Sequence, residues 1–153
     1  MLRKAQISDV AAIHRLVNSC ADRGEMLPRS LAELYDNMRD YFVYADVESD
    51  TIAGACALHI CWEHLAEVRS LCVVESLRRR GVGYELVKAC MDEARELGVE
   101  KLFVLTYRRD FFGRLGFREV EKTELPQKIW TDCVKCPKFP LCDEVAMIAH
   151  VPP

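Results

Sequence analysis

The 153-residue chain predicts an α/β (α+β) fold: a mixed, mostly antiparallel central sheet flanked by helices, with one parallel crossover. Three observations carry this. The runs "YFVYADV", "TIAGACALHICW" and "LAEVRSLCVV" are rich in β-formers and follow one another across short polar turns, which suits an antiparallel meander. An apolar spacing of helical period then sets in over "GVGYELVKACMDEARELGV", and the buried-looking run "KLFVLTY" follows it, giving strand, helix, strand and so a parallel crossover. No repeat, low-complexity tract or convincing linker interrupts the chain, so residues 1–153 are expected to form a single domain that buries its own core, with a Cys-rich segment at about 124–143.

Each element has a local reason. Ser8 is the expected cap of a first helix that places Val10, Ile13, Leu16 and Val17 on one face and runs to about Asp22. After the loop "GEMLPR", Ser30 and Glu33 make a capping box for a second helix, "SLAELYDNMRD". The first two strands are joined by the turn "ESD". Beyond the crossover, "DFFGRLGF" reads as a short helix, "REVEK" as a strand and "EVAMIAH" as the last strand.

Composition narrows the function classes. Half of the residues are hydrophobic and the net charge is −3, which argues against disorder and against a general nucleic-acid binder. "MLRKAQISDVAAIHRL" lacks the pattern of a secretory signal, and "IAGACALHICW" is too short to span a bilayer and carries His59. A cytoplasmic protein without a membrane or nucleic-acid partner is expected, a homodimer remaining open. In that setting the eight cysteines are expected as reduced thiols, core residues or metal ligands rather than disulfides.

The stretch "SLRRRGVGYELV" crowds three arginines and two glycines against a helix entrance. A strand ending near Val74, a glycine-bearing loop and a helix starting near Gly81 point backbone N–H groups at one spot, with the helix dipole behind them. That is an anion site, and the spacing Arg-x-x-Gly-x-Gly from Arg78 to Gly83 is neither the phosphate loop ending in Gly-Lys-Ser/Thr nor the dinucleotide fingerprint. A solvated basic turn beside an ordinary helix is the alternative.

"EVRSLCVVESLRRRGVGYELV", followed by "KLFVLTYRRDFFGRLGF", resembles the GCN5-related N-acetyltransferases (GNAT). The resemblance implies acetyl-CoA as cosubstrate, with its pyrophosphate held by the segment Arg78, Arg79, Arg80, Gly81, Val82, Gly83 and Tyr84. It further implies that Leu71, Cys72 and Val73 offer strand backbone to the pantetheine arm, and that Phe111 and Phe112 pack near the thiol end. "LPRSLAELY", "GACALHICWEHLAEVRSL" and the tail "LPQKIWTDCVKCPKFPLCDEVAM" look like the short bacterial N-acetylglutamate synthases that open arginine biosynthesis. Long relatives carry an amino-acid-kinase-like domain ahead of the acetyltransferase. The present sequence holds no counterpart, so arginine control through such a domain is not expected.

Acetyl transfer to an amine needs a neutral nitrogen, a donor for the developing oxyanion and an exit for the thiolate. Glu67 and Arg69 alternate on a strand and so share a face. Glu67 is the candidate general base, through water, because its ordinary pKa near 4.3 lies far below that of an α-amine; a surface carboxylate paired with Arg69 is the competing reading, and Glu63 and His64 are substitutes. The N–H of Cys72 is the candidate oxyanion donor, its thiol being a core group. Many members of the superfamily carry tyrosine where Phe112 stands, as general acid; here Tyr107 or Ser70 would have to donate, or none. An acidic amino-acid acceptor such as glutamate calls for fixed cations, and Arg29, Arg69 and Lys128 are the candidates, with Ser70 beside them.

"CVKCPKFPLC" sets Cys133, Cys136 and Cys142 at half of a zinc pattern, with Asp132, Asp143 or His150 as a conceivable fourth ligand. Reduced thiols or an adventitious disulfide explain it equally well, so no metal ligand is assigned. The function expected is acetylation of the α-amino group of glutamate by direct transfer in a ternary complex. A protein N-terminal or other small-amine acetyltransferase, and a non-catalytic acetyl-CoA- or metal-binding module, are the alternatives.

Overall fold

A computed structural model describes residues 1–125 and 144–153. Seven strands, β1 (Leu2–Lys4), β2 (Tyr41–Ala45), β3 (Ile52–Trp62), β4 (Leu65–Val73), β5 (Lys101–Thr106), β6 (Arg118–Val120) and β7 (Val145–His150), form one sheet in the order β1-β2-β3-β4-β5-β7-β6. Neighbours pair antiparallel except β4 and β5, which run parallel. The helices are α1 (Val10–Asp22), α2 (Leu31–Asp36), α3 (Val82–Leu97) and α4 (Arg109–Arg114). The meander and the crossover through α3 are those the sequence predicts.

Three local features differ from expectation. The second helix, expected to run to Asp40, ends at Asp36, and a 3-10 turn, Met38–Asp40, follows it. β1 is a three-residue edge strand, too short and too charged to show alternation; it is held by ladder bonds to β2 and by the Met1 amino group, which donates to Ala45 O at 2.6 Å. Ser8 does not cap α1. A 3-10 turn, Ile7–Asp9, precedes the helix, and Asp9 instead accepts from both ends of the Arg3 guanidinium (2.6 and 3.0 Å) and from the Gln6 N–H (2.8 Å). The acidic side chain wins because it satisfies a strand cation and a backbone donor at once.

The Arg3 hydrogen bonds hold the Asp9 carboxyl below its ordinary pKa, with burial opposing and the Gln6 N–H assisting. A depressed carboxylate contributes stability above its unfolded pKa and loses it as pH falls through the folded one. Asp9→Asn should therefore cost about 1–2 kcal/mol at neutral pH. In urea titrations the gap to wild type should shrink towards acid; a gap independent of pH would remove the charge from this explanation.

α3 lays Val82, Leu86, Val87, Cys90 and Ala94 on one face of the sheet, against Cys56, Leu58, Ala66, Val68, Leu102 and Val104. α1 and α2 cover the other face, where Val10, Ile13, Val17 and Leu34 meet Tyr41, Val43, Ala55 and Ala57. Ser30 caps α2 through the Glu33 N–H at 3.1 Å, as its capping pattern predicts. A further cluster of Phe103, Leu125, Ala146 and Ile148 occupies the β5–β7 half. Because Phe103 pairs with Glu67, this cluster lies on the α1 face. β4 thus runs between two apolar clusters, and the residues it presents there, Glu67 and Arg69, are ionisable.

Candidate active site

β4 is bulged where these residues end. Ala57 pairs with Arg69, but Ala55 pairs with Cys72, so Ser70 and Leu71 together oppose Cys56. Ser70 takes φ +59°, a left-handed conformation that a residue with a Cβ rarely adopts. The extra residue inverts the side-chain alternation. Cys72 would otherwise join Val68 on the α3 face; instead it shares the α1 face with Ala55 and is disulfide-bonded to Cys20 of α1, with the Cα atoms 6.6 Å apart. This corrects the expectation of reduced thiols at these two positions: the bulge turns one cysteine towards the other across the helix–sheet interface. By restricting the unfolded chain, a bridge across 52 residues contributes roughly 2–4 kcal/mol. The Cys72 sulfur, so bonded, is no nucleophile. Cys56 and Cys90 are buried and lie outside this disulfide, their sulfurs 3.8 Å apart.

The parallel pairing of β4 with β5 spans Leu65–Glu67 against Lys101–Phe103. Beyond it, among the described residues, β4 and β5 no longer pair with each other, and a wedge opens between the end of β4, Leu71–Val73, and the end of β5. Ladder groups in such a wedge must find partners elsewhere, and an extended ligand with amides of its own suits them.

The loop entering α3 lies next to this wedge. Arg79 (φ +65°) and Gly81 (φ +83°) both take left-handed conformations, and Gly81 is the residue before the helix. Arg79 and Arg80 are exposed, whereas Val82 sends its side chain into the core and Tyr84 is exposed. Arg78 turns back: its Nε donates to Val73 O at 3.3 Å, and its Nη2 lies 3.5 Å from Glu25 in the loop after α1. Burial disfavours the charged form of Glu25, yet its hydrogen bond with Arg23 and the charges of Arg23, Arg78 and Arg108 prevail and hold its pKa below the ordinary value.

Gly83 has no local need to be glycine. A Cβ there would meet the Phe111 ring at 3.6 Å, ordinary contact, and its φ is not positive. Glycine near a helix start without a steric or conformational reason suits a ligand that approaches the backbone closely. Phe111 stacks edge-on to Phe112 with centroids 5.0 Å apart, and Phe112 is buried in the core against Phe117.

Glu67 and Arg69 of β4 and Arg29 of the loop before α2 are nearly closed to solvent, 14%, 10% and 10% exposed, and the charges of both arginines reach Tyr41. Glu67 Oε1 lies 3.7 Å from Arg69 Nη1, and Nε of both arginines is shielded from water. Arg29 is aimed by its backbone, which exchanges two hydrogen bonds with the Asn18 side chain of α1 (2.9 and 3.1 Å), and Nη1 reaches Glu33 at 3.4 Å. Tyr41 is buried in β2 and donates to Ser70 Oγ at 3.3 Å. Burial raises its pKa, while the Ser70 bond and the charges of Arg29 and Arg69 pull the other way. Sequence reasoning passed over Tyr41 and Asn18, neither of which belongs to a motif.

Tyr107 stands at the end of β5, 42% exposed. Glu63 and His64 are exposed at the β3–β4 turn. Lys128, Cys133, Cys136 and Cys142 lie outside the described residues, as do Asp132 and Asp143. Among the described residues no three His, Cys, Asp or Glu side chains converge as metal ligands, and no helix is long and apolar enough to cross a membrane.

Comparison with known proteins agrees with this geometry. Residues 10–117 match the model of the Acetyltransferase (GNAT) family. An uncharacterized N-acetyltransferase of Chlorobaculum tepidum is 44% identical over 96% of this chain and 94% of its own length. An amino-acid acetyltransferase of Mycobacterium tuberculosis is 32% identical over 86% of this chain and 76% of its own. Among solved structures, a Mycobacterium tuberculosis protein in complex with CoA and NLQ superposes with a TM-score of 0.85 at 26% identity, covering 99% of both chains. The N-acetylglutamate synthase of Neisseria gonorrhoeae, complexed with coenzyme A and N-acetyl-glutamate, shares the fold with a TM-score of 0.89 at 22% identity; this chain covers 35% of it. A wedge between parallel strands, a glycine-bearing helix entrance beside it and a family match across most of the chain converge on one statement: the protein belongs to the GNAT family and is an acetyl-CoA-dependent N-acetyltransferase.

Proposed function

We propose that the chain acts as one catalytic unit that acetylates the α-amino group of L-glutamate, the reaction that opens arginine biosynthesis. The observation that carries this is the pair of nearly solvent-closed guanidiniums, Arg29 and Arg69, whose charges both reach the buried Tyr41 hydroxyl, with Glu67 3.7 Å from Arg69. Two shielded cations of fixed geometry suit a dicarboxylate acceptor, since guanidinium forks bind carboxylates bidentately. The amino-acid acetyltransferase name of the mycobacterial relative and the product bound to the gonococcal enzyme support the same acceptor class.

In this reading, backbone N–H groups from Arg79 to Tyr84 hold the coenzyme pyrophosphate at the positive end of α3. The Leu71–Val73 edge of β4 that β5 does not pair receives the pantetheine arm, with Phe111 and Phe112 towards its thiol end. Glu67 removes a proton from the acceptor ammonium through water, and the amine attacks the thioester carbonyl. A wedge-facing N–H of β4 donates to the oxyanion that forms, the Cys72 N–H being directed at Ala55 of β3. The C–S bond then breaks, and the thiolate, whose reference pKa is about 8.5, leaves as such or takes a proton from Tyr107 or Ser70.

Following thiol release from acetyl-CoA across a panel of amino acids and an N-terminal peptide, with mass-spectrometric identification of the product, tests the proposal. Glutamate should give the α-N-acetyl product with the highest kcat/KM. A peptide preferred over every free amino acid would replace it with a protein acetyltransferase.

The coenzyme site has its own test. Gly83→Ala adds a methyl that the protein accommodates and removes a poor helix former, so stability should hold or rise by up to about 1 kcal/mol. Coenzyme affinity should fall about tenfold by calorimetry. Affinity unchanged in the stabilised variant would move the pyrophosphate elsewhere.

A further inference from the structure

On the acceptor face of the sheet, one row of ionisable groups runs past Glu67 to the surface, and the acetyl-transfer reading uses only its inner end. Glu67 pairs directly across the β3–β4 ladder with His59. Directly opposite residues project to the same side with Cβ atoms about 4.5–5.5 Å apart, so the imidazole is the immediate cross-strand neighbour of the carboxylate. On its far side, His59 Nδ1 lies 2.7 Å from Asp40 Oδ2, at the end of the 3-10 turn Met38–Asp40 that follows α2. His59 and Asp40 are 31% and 25% exposed against 14% for Glu67, so both outer members of the row are more open to solvent than the carboxylate.

We infer that His59, oriented by Asp40, is a positioning residue that carries the proton collected by Glu67 out to solvent. An ionised carboxylate only accepts hydrogen bonds, so Asp40 fixes the hydrogen on Nδ1 and leaves Nε2 as the basic nitrogen. The steps balance. The acceptor ammonium gives one proton through water to the Glu67 carboxylate and becomes the attacking amine. The protonated Glu67 passes that proton to His59 Nε2, returning to carboxylate. The imidazolium, its Nδ1–H held by Asp40, releases it to bulk water. No electron moves, and Glu67 is reset for the next turnover. The groups facing the imidazole are Asp40, with Arg39 beside it on the same turn, and Glu67 on β4, with Arg69 two residues further along that strand.

The inference rests on Glu67 being the base of acetyl transfer, and the test separates the two. Thiol release from acetyl-CoA is measured with the wild-type protein's preferred amino acid from pH 5.5 to 9.5, alongside thermal unfolding and coenzyme affinity. His59→Gln should lower kcat about tenfold with KM for acetyl-CoA and the unfolding midpoint nearly unchanged. Asp40→Asn, which removes the charge supporting the imidazolium, should move the acidic limb of the kcat profile to lower pH. Added imidazole should restore part of the rate to His59→Ala, an effect that a merely structural histidine does not show. If His59→Gln keeps full kcat across the pH range, or if every loss of rate tracks a loss of unfolding midpoint and ignores imidazole, the relay is overturned while acetyl transfer stands. If the wild-type protein releases thiol with no acceptor, both fall.

Discussion

Glu67→Gln should lower kcat at neutral pH by about 10²-fold or more, the contribution expected of a positioned general base, while acetyl-CoA affinity stays within about twofold. The separation follows from placement. Glu67 lies on the paired half of β4, before the bulge, whereas the proposed coenzyme contacts begin at Leu71 and continue into α3. Gln keeps the size of the side chain and can still hydrogen-bond, but it cannot accept a proton from the acceptor ammonium. Stopped-flow thiol release with calorimetry on the same variant separates the two quantities. Full activity in the variant would hand the role to another group or leave deprotonation to solvent.

Arg69→Leu should cost about ten- to a hundredfold in kcat/KM for glutamate, the equivalent of losing one charge-assisted pair of about 1–3 kcal/mol. The loss should fall mainly on the acceptor and leave KM for acetyl-CoA nearly unchanged. It should also narrow the preference for glutamate over glutamine, because the shielded cation left behind by a neutral acceptor is then no longer there. Arg69 is held near Glu67 and Tyr41, so its removal also touches the packing there. The unfolding midpoint therefore has to accompany the kinetics, and Arg69→Lys, which keeps charge without the fork, should fall between wild type and Arg69→Leu.

The sheet and its crossover were legible because their signals are local: two strands of a meander are separated by turn residues, and an amphipathic helix is bounded by Gly81 and Gly98 in left-handed conformations. The shared face of Glu67 and Arg69 followed from strand alternation alone and agrees with their 3.7 Å approach. The bulge at Ser70 was not legible, since serine is no marker of a left-handed backbone, and everything that depends on the inverted parity was hidden with it. The Cys20–Cys72 bridge is the clearest case: the two residues are 52 positions apart, and ordinary alternation turns Cys72 away from α1. Tyr41 and Asn18 escaped for a related reason. Their importance comes from partners 29 and 11 residues away, and a hydroxyl or amide at such a distance leaves no periodic trace. β7 was found as a strand, but its place between β5 and β6 is a matter of tertiary pairing that sequence order conceals.

The most direct measurement is kcat/KM for glutamate and glutamine at the same ionic strength with saturating acetyl-CoA. If Arg29 and Arg69 divide the two carboxylates of the acceptor between them, glutamate should exceed glutamine by about ten- to a hundredfold, and the advantage should fall in Arg69→Leu. Equal rates for the two acceptors, or a faster reaction with glutamine, would contradict the dicarboxylate clamp on which the proposed function rests.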